Sequence, residues 1–367
     1  MKNYKDLNIK KLDKSRVEIT GSIPASEFEK FRTEALKNIN EEVNIDGFRK
    51  GKVPENILIS KVGEMTILEE MAQCALKETY PQIVIEEKID ALGRPEVHIT
   101  KIAKNNPLEF KIITAIVPEV KLGDYKKIAK ETSKVRDMRG SEKIEEKTKA
   151  KSTEEISEQE LDEAILRIRQ SRADHSTHDH EKMTAEEHEK ITNANLPEFT
   201  DDFVRTLGSF KDISDFKEKL KIMLIEEKKG KEKEKKRIII SDKLIESSSI
   251  DLPEILVEGE LRRIESQFAD DISRMGVKLE DYLKHAKKSM EDLHKDWRPH
   301  AEKKAKLQLI LNKIAKTENI TVNPEETEGE VNEIMKNHKD ADRERAVVYV
   351  ETVIMNEKVF QSLENLS

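Results

Sequence analysis

The sequence predicts an α+β fold: a small amino-terminal α+β domain followed by an elongated, all-helical body with arm-like helices. Three observations carry that expectation. The first 118 residues alternate between the two-residue period of half-buried strands and the 3.6-residue period of helices. From Lys126 to Glu198 there is no Phe, Tyr or Trp, so that interval has little with which to build a core. Beyond Leu196, narrow apolar stripes recur at helical spacing with short turns between them. The composition agrees: of 367 residues, 39% are charged, 36% hydrophobic and only 4% aromatic. Such a chain has little apolar material per residue to bury, which suits long, surface-rich helices better than a sphere. Its length suits two or three domains.

Taken in order, SRVEITGSIP alternates Val17, Ile19 and Ile23 as a half-buried strand that Pro24 ends. PASEFEKFRTEALKNINEEV follows as a helix with Phe28, Phe31, Ala35 and Ile39 on one face, and Ser26 with Glu29 forms a candidate capping box. PENILISKVG reads as a short helix, and EMTILEEMAQCALKETYPQIVIEEK as a longer one bent near Pro81. RPEVHITKI and LEFKIITAIVP supply two more strands, antiparallel partners for the first. Residues 131–155, nearly all charged or small polar, read as a flexible linker. SEQELDEAILRIRQSRA then gives a helix with Leu161, Ile165 and Ile168 on one side, before the polar stretch DHSTHDHEKMTAEEHEK. LPEFTDDFVRTLGSFKDISDFKEKLKIML places Phe216, Leu220 and Leu224 four apart. It runs into EEKKGKEKEKKR, seven cations against four anions, the solvated face of one long helix. DLPEILVEGELRRIESQF begins a helix after Pro253, and HKDWRPHAEKKAKLQLILNKIAKTENI another with Leu307, Leu311 and Ile314 as its stripe. RERAVVYVETVIMNEKVFQSL closes the chain. The expected domains are 1–118, a linker and helix over 119–198, and a helical carboxy-terminal domain over 199–367.

The chemistry concentrates in NIDGFRKGKVPENIL, residues 44–58. A phosphate-binding loop of Walker type needs four residues between its glycines and then Gly-Lys-Ser/Thr. Here three residues separate Gly47 from Gly51, and Val53 stands where the hydroxyl belongs, so no nucleotide site is expected. The glycines instead permit positive φ on both sides of an apex. Pro54 suits the first turn of the next helix, and Glu55 complements its dipole. That leaves Phe48, Arg49 and Lys50 displayed, an aromatic anchor beside cations suited to RNA phosphates or acidic side chains. The alternative is that Phe48 tucks into the domain and the cations are merely solvated. The net charge of −8 argues against a general nucleic-acid binder. A single cysteine, Cys74, excludes an internal disulfide and reads as a small buried thiol on a helix. With neither an apolar run behind the first lysines nor a window long enough to span a bilayer, the expectation is a soluble, cytoplasmic protein without a membrane partner.

GFRKGKVP resembles the ribosome-docking signature of the trigger factor family, ATP-independent bacterial chaperones of the nascent-chain exit tunnel. LGRPEV (92–97), VPEVKLGDYK (117–126), LPEFTDDFVRTLGSF and IDLPEILVEGEL are similar to segments of that family and come in the same order. The resemblance implies ribosome contacts at Phe48, Arg49 and Lys50, with Lys52 beside them and Gly47, Gly51 and Pro54 shaping the loop. It implies a ribosomal protein and ribosomal RNA near the tunnel as partners, unfolded nascent polypeptides as clients, and no cofactor; a weak homodimer stays open. The family usually carries an FKBP-type prolyl isomerase domain of roughly a hundred residues, with an aromatic-lined pocket on a β-sheet. Here the matching interval, residues 174–195, contains no aromatic and cannot build a sheet or an apolar proline pocket, so isomerase activity is not expected.

The expected function is therefore a ribosome-associated holdase that binds clients through apolar stripes, with Phe203, Leu207, Phe216 and Leu311 as candidates. Each of these four is more often simply core, given what amphipathic stripes usually do. Two alternatives stand beside it: a prolyl isomerase acting through a degenerate or relocated site, and a helical scaffold for one folded partner. His175, His178, His180 and His188 are metal ligands by type, but their spacing matches no metal motif, and a solvated His-rich segment is expected instead.

Overall fold

A computed structural model describes residues 2–139, 156–172, 196–338 and 341–366. The chain forms two compact units, residues 1–125 with 244–363 and residues 126–243 with 364–367.

The first unit opens on a four-stranded antiparallel sheet in the order β1 (Lys5–Leu12), β2 (Arg16–Ile23), β4 (Leu108–Ile116), β3 (Ala91–Lys101). Val17, Ile19 and Ile23 of β2 share a buried face with Leu108, Phe110 and Ile112 of β4. Over that face lie α1 (Ala25–Phe28), a 3₁₀ turn, α2 (Arg32–Glu42), α3 (Glu55–Val62) and α4 (Glu64–Glu86). Phe28, Ala35, Ile39, Leu58, Ile67, Met71 and Leu76 complete one apolar core, in which burial of Phe110 alone is worth about 2–3 kcal/mol. Gly21 faces Phe110 in register, and a Cβ there would lie 2.9 Å from the ring, so the aromatic fills the space a side chain would need.

Several expectations change. Strand β1 escaped the sequence reading because it is an edge strand: KDLNIKKL is mostly lysine and polar residues, as edges tolerate, with a register irregularity after Lys5. Ser26 and Glu29 form no capping box. Pro24 is the N-cap and Ser26 already lies inside the helix, past the position from which a hydroxyl can cap. Helix α4 is the long helix expected, with Pro81 inside it and Glu86 at its end. The linker expected to begin at 131 is helical at first, as part of α5 (Tyr125–Arg139), and the rest of it lies outside the described residues.

The second unit packs α6 (Glu158–Ser171), α7 (Asp201–Leu207) and the first turns of α8 (Ile213–Ser247) around Leu161, Ile165, Val204, Phe216 and Leu220. Phe199 and Phe210 meet the Phe216 ring edge-to-face at 6.0 and 5.0 Å. Ser157 and Glu160 form the capping box that α6 needs. The lysine-rich run lies within α8, as its charge pattern predicts.

The remainder of the first unit is helical apart from β6 (Ser249–Ile250), which pairs with β5 (Val120–Lys121). Helices α9 (Glu254–Arg274) and α11 (Met290–Thr317) pack through Val257, Leu261 and Ala301, with α10 (Leu279–Ala286) between them in sequence. Helices α12 (Pro324–Asn337) and α13 (Arg343–Asn365) share Val331, Ala346 and Val350. The apolar pattern of the sequence does not announce α10 or α12. None of the eight residues of α10 is buried, and α12 has a thin stripe, although Asn323 before Pro324 is a legible start signal.

Candidate docking loop and its family

Helix α2 ends where Val43 turns to extended backbone, and α3 begins after Pro54. Two consecutive tight turns fill the interval. Phe48 N–H donates to Ile45 O at 3.1 Å, and Lys52 N–H to Arg49 O at 3.0 Å. Each turn has glycine at its third position, Gly47 at φ 87° and Gly51 at φ 74°, the positive φ that such turns demand. Nothing lies within 4 Å of a Cβ built on Gly47, so conformation and not space requires glycine there. Pro54 serves as the N-cap of α3 rather than as its first helical residue, its carbonyl accepting from Leu58 N–H at 2.9 Å.

The loop is closed from below by one residue that the sequence reading did not single out. Asn40 Nδ2 donates to Val53 O at 3.0 Å, Asn40 Oδ1 accepts from Val53 N–H at 3.1 Å, and Asn40 O accepts from Gly51 N–H at 2.8 Å. Val53 is buried beneath, while Phe48 keeps 36% of its surface exposed and Arg49, Lys50 and Lys52 are exposed around it. None of the three cations pairs with a carboxylate among the described residues. The platform below is braced by Arg32, whose guanidinium grips Glu64 at 2.7 and 3.2 Å and ties α2 to α4. That hydrogen bond holds the Glu64 carboxyl below its ordinary range, with Lys104 assisting. Cys74 is half-buried beside Asn38 and Glu70, and burial pushes its thiol up to about 11.

A family profile described as bacterial trigger factor protein (TF) matches residues 5–168, and one described as its C-terminus matches residues 212–363. The chain belongs to the trigger factor family. Similar relatives are the trigger factors of Moorella thermoacetica (26% identical, covering 88% of this chain and 85% of the relative) and Carboxydothermus hydrogenoformans (26%, 88% of each). The trigger factor of Staphylococcus epidermidis is also 26% identical, over 85% of each chain. A solved structure of the trigger factor chaperone, reported for promiscuous substrate recognition in folding and assembly, shares the fold with a TM-score of 0.52 at 18% identity. The superposition covers 98% of this chain and 99% of that one.

For a trigger factor the apolar surface is the second question, and here the four sequence candidates divide. Phe216 and Leu311 are 4% and 2% exposed and belong to cores, because stripes at four-residue spacing are what a packed helix turns inward. Phe203 and Leu207 pack half-exposed against the Phe216 cluster. Exposed apolar side chains lie elsewhere, notably Val348, Tyr349 and Val353 on α13; of these, Tyr349 and Val353 line a groove of about 740 Å³ with Glu326, Glu330 and Ile334 of α12. The signal for them was present: RERAVVYVETVIM is apolar on more than one face, and a single buried stripe cannot use all of it. Among the described residues no helix is long and apolar enough to cross a membrane, and no group of three or more His, Cys, Asp and Glu could hold a metal ion. His175, His178, His180 and His188 lie outside the described residues.

Proposed function

We propose that this chain is an ATP-independent holdase that docks on the ribosome near the exit tunnel through Phe48, Arg49, Lys50 and Lys52, with Gly47, Gly51 and Pro54 setting the loop. The observation that carries the reading is the loop itself: two glycine-centred turns hold an exposed aromatic among exposed cations on a braced platform. Fixing that shape in advance lowers the ordering cost of binding. The cations suit phosphate or carboxylate groups on the docking surface. Unfolded chains meet the helical part through exposed side chains such as Val348, Tyr349 and Val353, with Phe203 and Leu207 as further contacts. Release needs no nucleotide, because folding buries the client's own apolar surface and so weakens its hold.

Prolyl isomerase activity is left out of this reading. Residues 174–195, 22 in all and without an aromatic, are too few for a sheet domain with an aromatic pocket. A proline-limited refolding reaction should keep its slow phase in the presence of catalytic amounts of the protein. The docking assignment is tested by replacing Phe48, Arg49 and Lys50 together with Ala. Co-sedimentation with ribosomes should be lost while helical circular dichroism is kept, and raised salt should weaken the wild-type interaction. Ribosome binding retained by the triple variant would sink the assignment.

A further inference from the structure

The turn between β1 and β2 breaks a local rule. Lys14 and Ser15 both hold left-handed backbone, at φ 59° and 45°, in the three-residue turn between Leu12 and Arg16, a conformation that favours Gly or Asn. A position that overrides local preference is one where the tertiary structure supplies a return. The return lies 236 and 240 residues further along the chain, at Asp251 and Glu254. Ser15 N–H donates to Asp251 Oδ2 at 2.7 Å, and Ser15 Oγ donates to Asp251 O at 2.5 Å. Lys14 Nζ lies 3.3 Å from Glu254 Oε2, and the other oxygen of that carboxylate accepts from Arg298 Nη2 at 2.5 Å.

The surroundings are equally specific. Val120 and Lys121 pair with Ile250 and Ser249, two residues on each side. Gly93, at φ 69°, lies under Ile255, whose side chain takes the space a Cβ would need. Gly123 similarly meets Ser247 at 2.6 Å, and Tyr125 Oη donates to Glu318 at 2.5 Å. Three segments that stand out in the sequence, LGRPEV, VPEVKLGDYK and IDLPEILVEGEL, thus meet at one junction. The two sides have separate apolar cores, one around Phe110 and Met71 and one around Val257 and Ala301. The Lys14 and Ser15 bonds between them are solvent-exposed. Small polar junctions of this kind permit motion of one folded part against another.

We propose that Lys14 and Ser15, gripping Asp251 and Glu254, form a latch between the sheet domain and the helices that follow Ser249, one that opens while both sides stay folded. The latch stands apart from the docking assignment and is tested without ribosomes, by hydrogen exchange on the full chain. Asp251→Ala removes the side-chain acceptor, and Lys14→Glu sets like charge against Glu254. In each variant, amides of 12–16, 119–122 and 249–251 should exchange about tenfold faster, while 110–114 and 305–315 keep their protection. Raising the salt to about 0.5 M should move the wild type the same way. The pair Lys14→Asn/Ser15→Gly suits the left-handed turn yet removes two latch contacts, so it should loosen the junction with unchanged circular dichroism. Unchanged junction exchange in these variants, or acceleration spread equally over both cores, overturns the proposal.

Discussion

Truncating Asn40 to Ala separates the shape of the docking loop from the residues it displays. Asn40 closes the loop with both side-chain atoms on Val53, at 3.0 and 3.1 Å, while its backbone carbonyl keeps the Gly51 bond at 2.8 Å whatever the side chain. The substitution therefore removes two hydrogen bonds and leaves a third. Each contributes about 0.5–1.5 kcal/mol net, and Val53 is only 4% exposed, so its freed N–H and C=O do not gain water readily. The expected loss is about 2 kcal/mol, enough to lower the population of the closed loop roughly thirtyfold if the cost is expressed locally. Three measurements follow on Asn40→Ala: urea unfolding, hydrogen exchange over residues 44–53, and co-sedimentation with ribosomes. Exchange in the loop should rise while the α4 amides stay protected, and ribosome binding should weaken although Phe48, Arg49 and Lys50 are untouched. A stability change below about 0.5 kcal/mol with unchanged loop exchange would refute the role given to Asn40.

Two further predictions use glycines and charge. Gly21→Ala must push against the Phe110 ring 2.9 Å away and should cost about 1–3 kcal/mol, read as a lowered melting temperature. Gly259→Ala, in α9 with nothing within 4 Å, should instead stabilise by about 1 kcal/mol, and a shift of both variants in the same direction would contradict the packing argument. The Glu64 carboxyl is held below its ordinary range by Arg32, so its folded pKa is depressed. Its contribution is present above the unfolded carboxylate pKa and is lost as pH falls through the folded one. Arg32→Ala should therefore lower stability near neutrality and flatten the acid limb of a stability–pH curve, whereas parallel curves for variant and wild type would show that the pair contributes nothing.

Much of the sheet domain was legible because burial on one face leaves a periodic record. Val17, Ile19 and Ile23 announce β2, and Leu108, Phe110 and Ile112 announce β4, since a one-residue slip would turn every one of them to water. Strand β1 left no such record, because an edge strand keeps one side in solvent and carries lysines there. In the docking loop the glycine spacing foretold two positive-φ positions, and both are present. Asn40 was not legible: an asparagine near a helix end has many local uses, and its partner Val53 is 13 residues away. The apolar candidates show the limit of stripes. Spacing marks Phe216 and Leu311 as a face but does not say whether another helix covers that face, and here it is covered.

By itself the sequence determined what depends on neighbours in the chain: the α+β class, the order of most helices and strands, the failed Walker spacing, and a loop forced to turn at Gly47 and Gly51. The tertiary structure decided what depends on residues far apart. It set Asn40 beneath the loop, turned Phe216 and Leu311 inward, left Tyr349 and Val353 outside, and placed Asp251 against the turn at Ser15. The reason is physical. Backbone preference and hydrophobic period are local properties, each readable in a window of a few residues. Coverage of an apolar face and the partner of a polar group are fixed only when the chain closes on itself.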